Sequence, residues 1–143
     1  MNGVRGSFLV VVAGLALLTA CAGDQADDEI NFLRAKPSDA PDMAALYEGR
    51  LMLSEKCLYL ESGDGSLTHA AIWPLEFSLT EGGGVQILNE DEAVVARVGD
   101  EIRVGGGEAR GFSAEDLEEN FIGNAAQCKP PYWRISDVEV VSP

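Results

Sequence analysis

The sequence predicts an all-β domain, mainly strands with one short helix, built as a small meander or a partly closed β-barrel and stapled by a disulfide. From residue 43 onward, apolar and polar residues alternate in short stretches, and this period of two is typical of strands with one buried face. Clusters of Gly, Asp and Ser separate the stretches, as turns do. A helix-capping pattern stands out only at Ser113. Barrel closure is favoured because it removes exposed strand edges.

The first predicted strands surround a turn cluster at residues 62–66. Gly and Asp in this cluster tolerate the backbone angles that turns require. Pro74 closes the strand after the cluster, because proline has no N–H to donate to a sheet ladder. Strands are predicted at residues 50–54, 56–61, 67–73 and 76–79.

The clearest fold signal lies between residues 85 and 104. Two apolar stretches flank a polar four-residue segment, which is typical of a β-hairpin, and a turn at Gly99-Asp100 precedes a third stretch. Ile102 and Val104 are expected to face inward. The three strands of this predicted meander are residues 85–88, 93–98 and 101–104.

Two glycine triplets, at residues 82–84 and 105–107, raise the question of a phosphate-binding loop. Neither is followed by the Lys-Ser/Thr pair of a P-loop, and Glu108 after the second triplet would repel phosphate. We therefore expect loop or bulge glycines at both places.

One helix is predicted at residues 113–122, inserted before the last strand. Ser113 can cap its first amides, and acidic residues in its first turn suit the helix dipole. Leu117 and Phe121 form its apolar stripe, and Gly123 can end it.

The last apolar segment, residues 132–141, is predicted to be a strand pair or one bulged strand. The apolar phase shifts at Ser136-Asp137, which favours a bulge there. Residues 43–143 are assigned to a single domain, because a chain of this length is too short for two.

The amino terminus has the features of an export signal. A single positive charge at Arg5 precedes an apolar run over residues 8–18. A membrane-spanning helix needs about 20 apolar residues, so a transmembrane anchor is the weaker interpretation. Residues 1–20 are therefore predicted to be a signal peptide that is removed.

The end of this signal, Leu18-Thr19-Ala20-Cys21, resembles the lipobox of bacterial lipoprotein precursors. The resemblance implies a diacylglycerol thioether on Cys21, with palmitate-type acyl chains, and cleavage just before that cysteine. It further implies a lipid anchor on the extracytoplasmic side of the cell membrane. Because position 22 is not Asp, the outer membrane is favoured if the cell has two membranes. An ordinary soluble export signal is the alternative.

The segment that follows, residues 21–42, is predicted to be a lipidated, acidic and flexible tether. It is short of large apolar residues, and Pro37 and Pro41 discourage regular structure. Residues 30–33 are apolar enough to dock on the domain or on a partner.

The charge of the chain excludes some partners. It has 24 acidic residues against 10 Lys and Arg, a formal net charge of −14. Binding to nucleic acid or to an anionic membrane surface requires clusters of Lys and Arg, so no nucleic-acid partner is expected. The simple interpretation of this acidity is that it keeps the protein soluble outside the cell. The more specific interpretation is that the protein binds a cationic or basic partner.

Two cysteines remain beside Cys21, and we expect Cys57 and Cys128 to form a disulfide. An even pair in an oxidising compartment usually does so. A metal site lacks ligands, since His69 is the only histidine and neither cysteine belongs to a C-x-x-C pair. We accordingly predict neither a metal nor a cofactor.

Four aromatic residues could form a ligand face: Trp73, Phe77, Tyr132 and Trp133. Aromatic side chains beside glycine-rich loops can stack on sugars or peptides. Burial in the core is the alternative, and the favoured one, because a small domain needs its few aromatic residues inside. The series from Cys57 through Trp73-Pro74 to Cys128 is similar to small exported bacterial domains, a resemblance that implies no activity.

These features favour a non-catalytic binding or scaffold domain of the cell envelope, with another envelope protein or a cell-wall glycan as its partner. The alternative is an envelope hydrolase or metal-dependent enzyme with a site around His69. Such a site would gather His69 with carboxylates of Glu61, Asp64 or Glu76. Calcium at Asp91 and Glu92, or at Glu61 and Asp64, is disfavoured because neither pair has the ligand spacing of an EF-hand loop.

Overall fold

The computed structural model describes residues 29–38 and 42–141. The predicted signal peptide and the predicted lipid attachment site Cys21 lie outside the described residues. The described part contains one α-helix, α1 (Ala114–Asn120), and a short 3-10 helix at Ala125–Gln127. Its strands are β1 (Arg34–Ala35), β2 (Ala45–Ser54), β3 (Cys57–Ser62), β4 (Thr68–Ile72), β5 (Ser78–Thr80), β6 (Gln86–Leu88), β7 (Val94–Arg97), β8 (Glu101–Ala109), β9 (Phe121–Ile122) and β10 (Tyr132–Val140).

Five strands close into a barrel in the order β2-β3-β4-β10-β8. All neighbouring strands are antiparallel except β4 and β10, which run parallel. Numbered along the chain, the barrel strands have the order 1-2-3-5-4 with one parallel pair, which is the topology of the OB-fold. The predicted fold class, an all-β barrel with one helix and a disulfide, is confirmed.

The barrel interior is filled by side chains that alternate inward along each strand. Leu51 and Leu60 are fully buried there, and so are Ile102 and Val104, whose inward direction was expected from the alternation. Trp73, which follows β4, joins the same cluster. The interior is thus a packed apolar core.

A separate three-stranded sheet, β5-β6-β7, packs Ile87 and Ala96 against this core. The predicted hairpin of β6 and β7 is confirmed. The strand after it does not extend the meander, because β8 pairs with β2 and β10 instead. The Gly99 N–H donates to the Leu51 carbonyl (2.7 Å) and the Leu51 N–H donates to the Asp100 carbonyl (2.9 Å), which directs the chain into the barrel.

The second glycine triplet lies inside β8, where a loop or bulge was expected. The Gly106 backbone has a φ of +138°, and a Cβ atom there would overlap the Arg134 carbonyl of β10. The bulge expected in the last strand lies opposite the triplet, since Ile135 pairs with Gly106 and Asp137 with Gly105. Because the glycine residues have no side chain, β8 and β10 can approach each other closely here.

Helix α1 covers an outer face of the barrel. Its N-cap is Ser113, as predicted: the Ser113 hydroxyl accepts from the Asp116 N–H (3.2 Å), and the Asp116 carboxylate accepts from the Ser113 N–H (2.8 Å). Leu117 and Phe121 are buried against the barrel. The helix ends before Gly123 because the chain enters β9. Among residues 29–38 and 42–141, no helix has the length and apolar character needed to cross a membrane.

The segment predicted as a flexible tether contributes to the fold from Asn31 on. β1 pairs with β9, the Ala35 N–H donates to the Trp73 carbonyl (2.8 Å), and the Trp73 N–H donates to the Leu33 carbonyl (2.9 Å). Leu33 and Ala35 are buried. The apolar segment at residues 30–33 thus docks on the domain, and the folded region begins earlier than residue 43.

The disulfide between Cys57 and Cys128 is present, as predicted. Both cysteines are fully buried in a second apolar cluster, which lies outside the barrel interior and beneath α1. The bond joins the start of β3 to the segment that leads from α1 into β10.

Replacing both cysteines by serine should lower the free energy of unfolding by about 4 kcal/mol, because the bond restricts the unfolded chain over a separation of 71 residues. Guanidinium unfolding of the full-length protein in nonionic detergent measures this difference. Dithiothreitol should destabilise the parent protein and leave Cys57→Ser/Cys128→Ser unaffected. Two free thiols in parent protein recovered from the cell envelope and denatured would contradict the prediction.

Candidate functional site

The four aromatic residues considered as a ligand face do not form an exposed surface. Trp73 is 0% exposed and Trp133 is 7% exposed, and both belong to the barrel interior. Phe77 packs beside Trp73, with ring centroids 6.3 Å apart, and is half-buried. Tyr132 is buried in the separate cluster beneath α1. Three of these side chains are core residues, which is the alternative that the sequence favoured.

His69 is also buried, and its closest charged contact is not one of the expected carboxylates. Its Nε2 lies 3.8 Å from Glu108 Oε2, whereas the enzyme hypothesis required Glu61, Asp64 or Glu76. The imidazole packs edge-on against the rings of Tyr47 (5.1 Å between centroids) and Trp133 (5.8 Å). The sequence could not indicate Glu108 as its neighbour, because that residue lies on β8, two strands away in the barrel order.

The electrostatics around His69 favour a neutral imidazole. Burial lowers its pKa most strongly, Glu108 raises it, and Arg110 lowers it. Arg110 forms an ion pair with Glu108 (2.7 Å), which lowers the pKa of that carboxyl. His69 Nδ1 is buried and has no hydrogen-bond partner in the described part of the chain. These properties suit a core histidine better than a general base that meets a substrate.

Of the acidic residues considered for calcium, Asp64 has a structural role. Asp64 accepts hydrogen bonds from the hydroxyls of Ser66 (2.7 Å) and Ser62 (2.7 Å), which lower the pKa of Asp64 to about 2 and hold the turn after β3. Asp91 and Glu92 lie in the turn between β6 and β7. Across residues 29–38 and 42–141, no group of three or more His, Cys, Asp or Glu side chains could hold a metal ion.

The candidate site is a cleft on the outer face of β2, β3 and β4, with a volume of about 460 Å³. We call it the outer cleft. It is lined by Met52, Ser54, Glu55, Tyr59, Glu61, Thr68, Lys129 and Pro130.

Strand alternation and register bring these residues together. Met52 pairs with Tyr59 across β2 and β3, and Glu61 pairs with Thr68 across β3 and β4, so one outer face carries all four side chains. Apolar surface comes from Met52, Tyr59 and Pro130, while Glu61 and Thr68 are polar. The outer cleft therefore combines an apolar wall with hydrogen-bonding groups.

The segment before β10 is held over the β2–β3 turn at one side of the outer cleft. The Lys129 N–H donates to the Tyr59 hydroxyl (2.9 Å), and the Lys129 ammonium lies 3.0 Å from Glu55 Oε2. The Glu55 carboxylate raises the pKa of Lys129. Because both charged side chains are largely exposed, the pair adds little stability and can separate when a ligand enters.

The sequence contains only one signal for this site. The period of two places Cys57, Tyr59 and Glu61 on one face of β3. It does not reveal that the chain returns after α1 to set Lys129 and Pro130 beside that face.

Comparisons with protein-family models, with curated proteins and with solved structures find no match for this chain.

The lowered pKa of His69 predicts how stability depends on pH. Between the folded-state pKa and about 6.5, the unfolded chain binds more protons than the folded chain, so the free energy of unfolding should fall as pH decreases through that window. Because His69 binds only one proton, its contribution to the slope of the free energy of unfolding against pH is at most about 1.4 kcal/mol per pH unit. The carboxyls of Asp64, Glu108 and Asp116 have pKa values lowered from ordinary values of 3.8 to 4.5, so they titrate at lower pH than the imidazole of the unfolded chain.

Urea unfolding of the parent and of His69→Gln, from about pH 7 to about pH 5, tests this dependence. The variant should show a smaller slope, whatever its absolute stability. Equal slopes for the two proteins would show that His69 binds protons equally well in both states.

Proposed function

We propose that this protein is a bacterial lipoprotein, anchored through lipid on Cys21, whose β-barrel domain binds a ligand outside the cytoplasm without catalysing a reaction. The buried Cys57–Cys128 disulfide is the observation that supports export most directly, because such bonds persist in oxidising compartments. The lipobox-like residues before Cys21 support the lipid anchor. The extracytoplasmic side of the cell membrane, or of the outer membrane where two exist, is the proposed location.

The outer cleft is the proposed binding site, and a neutral cell-wall saccharide is the proposed ligand. Sugar rings have an apolar face and a polar edge, which match the apolar wall of Met52, Tyr59 and Pro130 and the nearby polar groups. Glu55 and Glu61 disfavour anionic ligands, and nucleic acid among them. In OB-fold barrels the corresponding face binds oligosaccharides and oligonucleotides. Topology alone does not decide the ligand, so the proposal depends on the chemistry of the cleft.

The chain enters the described domain beside the outer cleft. Asn31 lies ten positions after Cys21, and a chain of ten residues spans at most about 35 Å when fully extended. The Asn31 N–H donates to the Lys56 carbonyl (2.8 Å), in the same turn that contributes Glu55 to the cleft. The proposed anchor would therefore hold Asn31, beside the outer cleft, within about 35 Å of the membrane surface.

The anchor is tested by Cys21→Ser, which removes the sulfur that would be acylated. Expressed in a bacterium, the variant should appear in the soluble extracytoplasmic fraction or keep its leader, while the parent is retained in membranes and carries diacylglycerol by mass spectrometry. Ser7→Ala is the matched control, because it changes the leader and leaves the residues before Cys21 intact. An unacylated parent would overturn the anchor proposal.

The binding site is tested by Met52→Lys, which puts a long charged side chain into the outer cleft. Leu46→Lys is the matched control: it makes the same charge change on the outer face of β2, at a residue that does not line the cleft. Titration of full-length protein with chitotriose by calorimetry should show binding that Met52→Lys weakens roughly tenfold or more, equivalent to about 1.4 kcal/mol. Leu46→Lys should bind as the parent does. Absence of binding, or equal loss in both variants, would overturn this assignment.

A further inference from the structure

A second cleft, of about 350 Å³, lies on a different side of the barrel and contains an arginine that pairs with no carboxylate among the described residues. We call it the Arg134 cleft. Its walls come from the segment after β1, the segment after β4 and the bulged part of β10. Its lining includes Lys36, Met43, Leu75, Glu76, Arg134 and Ile135.

Arg134 is exceptional among the arginines that the structure describes. Arg50, Arg103 and Arg110 each form an ion pair with a carboxylate, and Arg34 donates to the Leu75 carbonyl (3.2 Å). Arg97, which also lacks a side-chain partner in the described region, is exposed to water. Arg134 alone is half-buried and has neither an ion pair nor a side-chain hydrogen bond in that region.

The sheet explains why Arg134 finds no partner on the neighbouring strands. Its cross-strand neighbours are Ile72 on β4 and Gly107 on β8, and neither side chain can accept a hydrogen bond. Met43 packs where a side chain on Gly107 would lie. The Arg134 guanidinium is thus partly withdrawn from water and flanked by apolar cross-strand neighbours, in a chain with 24 acidic residues and only 10 Lys and Arg.

The other charges of the Arg134 cleft narrow the class of ligand. Lys36 adds a second positive charge, and its ammonium donates to the Glu118 carbonyl in the last turn of α1 (2.9 Å). The exposed carboxylates of Asp42 and Glu76 also line the cleft, but neither lies within the 4.0 Å of an ion pair with Arg134. They disfavour multiply charged anions such as phosphate, whereas a single carboxylate matches the planar fork of Arg134.

We propose that the Arg134 cleft binds the carboxylate of a small organic ligand, with the Arg134 guanidinium as its principal contact and Lys36 as a second positive charge. Met43 and Leu75, which are both exposed and line the cleft, supply apolar contacts for the body of that ligand. A sugar acid and the carboxyl terminus of a peptide share this chemistry. The site has no lining residue in common with the outer cleft, so it does not depend on saccharide binding there.

The test uses full-length protein in nonionic detergent and follows the arginine Nε–Hε signals by NMR. Glucuronate represents sugar acids and N-acetylalanine represents a peptide terminus, while N-acetylalaninamide is the neutral analogue and inorganic phosphate the multiply charged anion. We expect saturable shifts of the Arg134 signal with at least one carboxylate and none with the amide. The probe that binds more tightly identifies the source of the carboxylate.

Two variants decide whether Arg134 carries the interaction. Arg134→Gln should weaken binding by about 10- to 100-fold, the usual loss for a charge-assisted hydrogen bond, and Arg134→Lys should weaken it less. Arg97→Gln, which removes an exposed arginine outside the cleft, should leave the affinity unchanged, as should Met52→Lys. Absence of saturable shifts, equal affinity for phosphate, or unchanged binding by a folded Arg134→Gln would overturn the proposal.

Discussion

The close approach of β8 and β10 at the glycine triplet is the constraint on which the barrel depends. β10 pairs with β8 along nearly its whole length but with β4 only through Tyr132, Trp133 and Arg134. Closure therefore relies on β8 holding β10 in position. A side chain at Gly106 would overlap the Arg134 carbonyl and force the two strands apart. The same contact fixes which side chains of β10 face inward and which face outward. Trp133 lies in the core, and Arg134 faces outward into its cleft.

The second layer of the molecule is built on the outside of the barrel. The first described segment, α1 and the entry to β10 all pack on one outer face, where the Cys57–Cys128 disulfide ties them to β3. Tyr59 marks the limit of this layer, since its ring is buried beside the disulfide and also lines the outer cleft. The covalent bond that stabilises the fold thus also holds Lys129 and Pro130 in place at the candidate site.

Charge is distributed unevenly over this acidic chain. Three arginines are neutralised in exposed pairs on the barrel surface, which contribute little to stability but leave few free cations. The outer cleft keeps carboxylates at its edge, and the Arg134 cleft keeps a guanidinium beside apolar side chains. The outer cleft has two carboxylates and one ammonium in its lining, whereas the Arg134 cleft has two carboxylates and two cationic side chains, so the Arg134 cleft accepts an anion more readily. A protein with both could hold a neutral saccharide and a carboxylate at separate places.

The sequence alone determined the class of fold, because period-two alternation, turn clusters and one capping box are local signals that act within a few residues. Such signals predict the first four residues of β8, the hairpin of β6 and β7, the Ser113 cap and the bulge opposite Gly105. They did not predict that β8 continues through the glycine triplet to Ala109. Only the tertiary structure decided the contacts between distant segments. These include the docking of Leu33 beside Trp73, the pairing of β8 with β2 and β10, and the sides of the barrel on which Tyr59 and Arg134 lie. Such contacts depend on barrel closure, which brings together residues that are far apart in the sequence. Closure produces no signal in local periodicity.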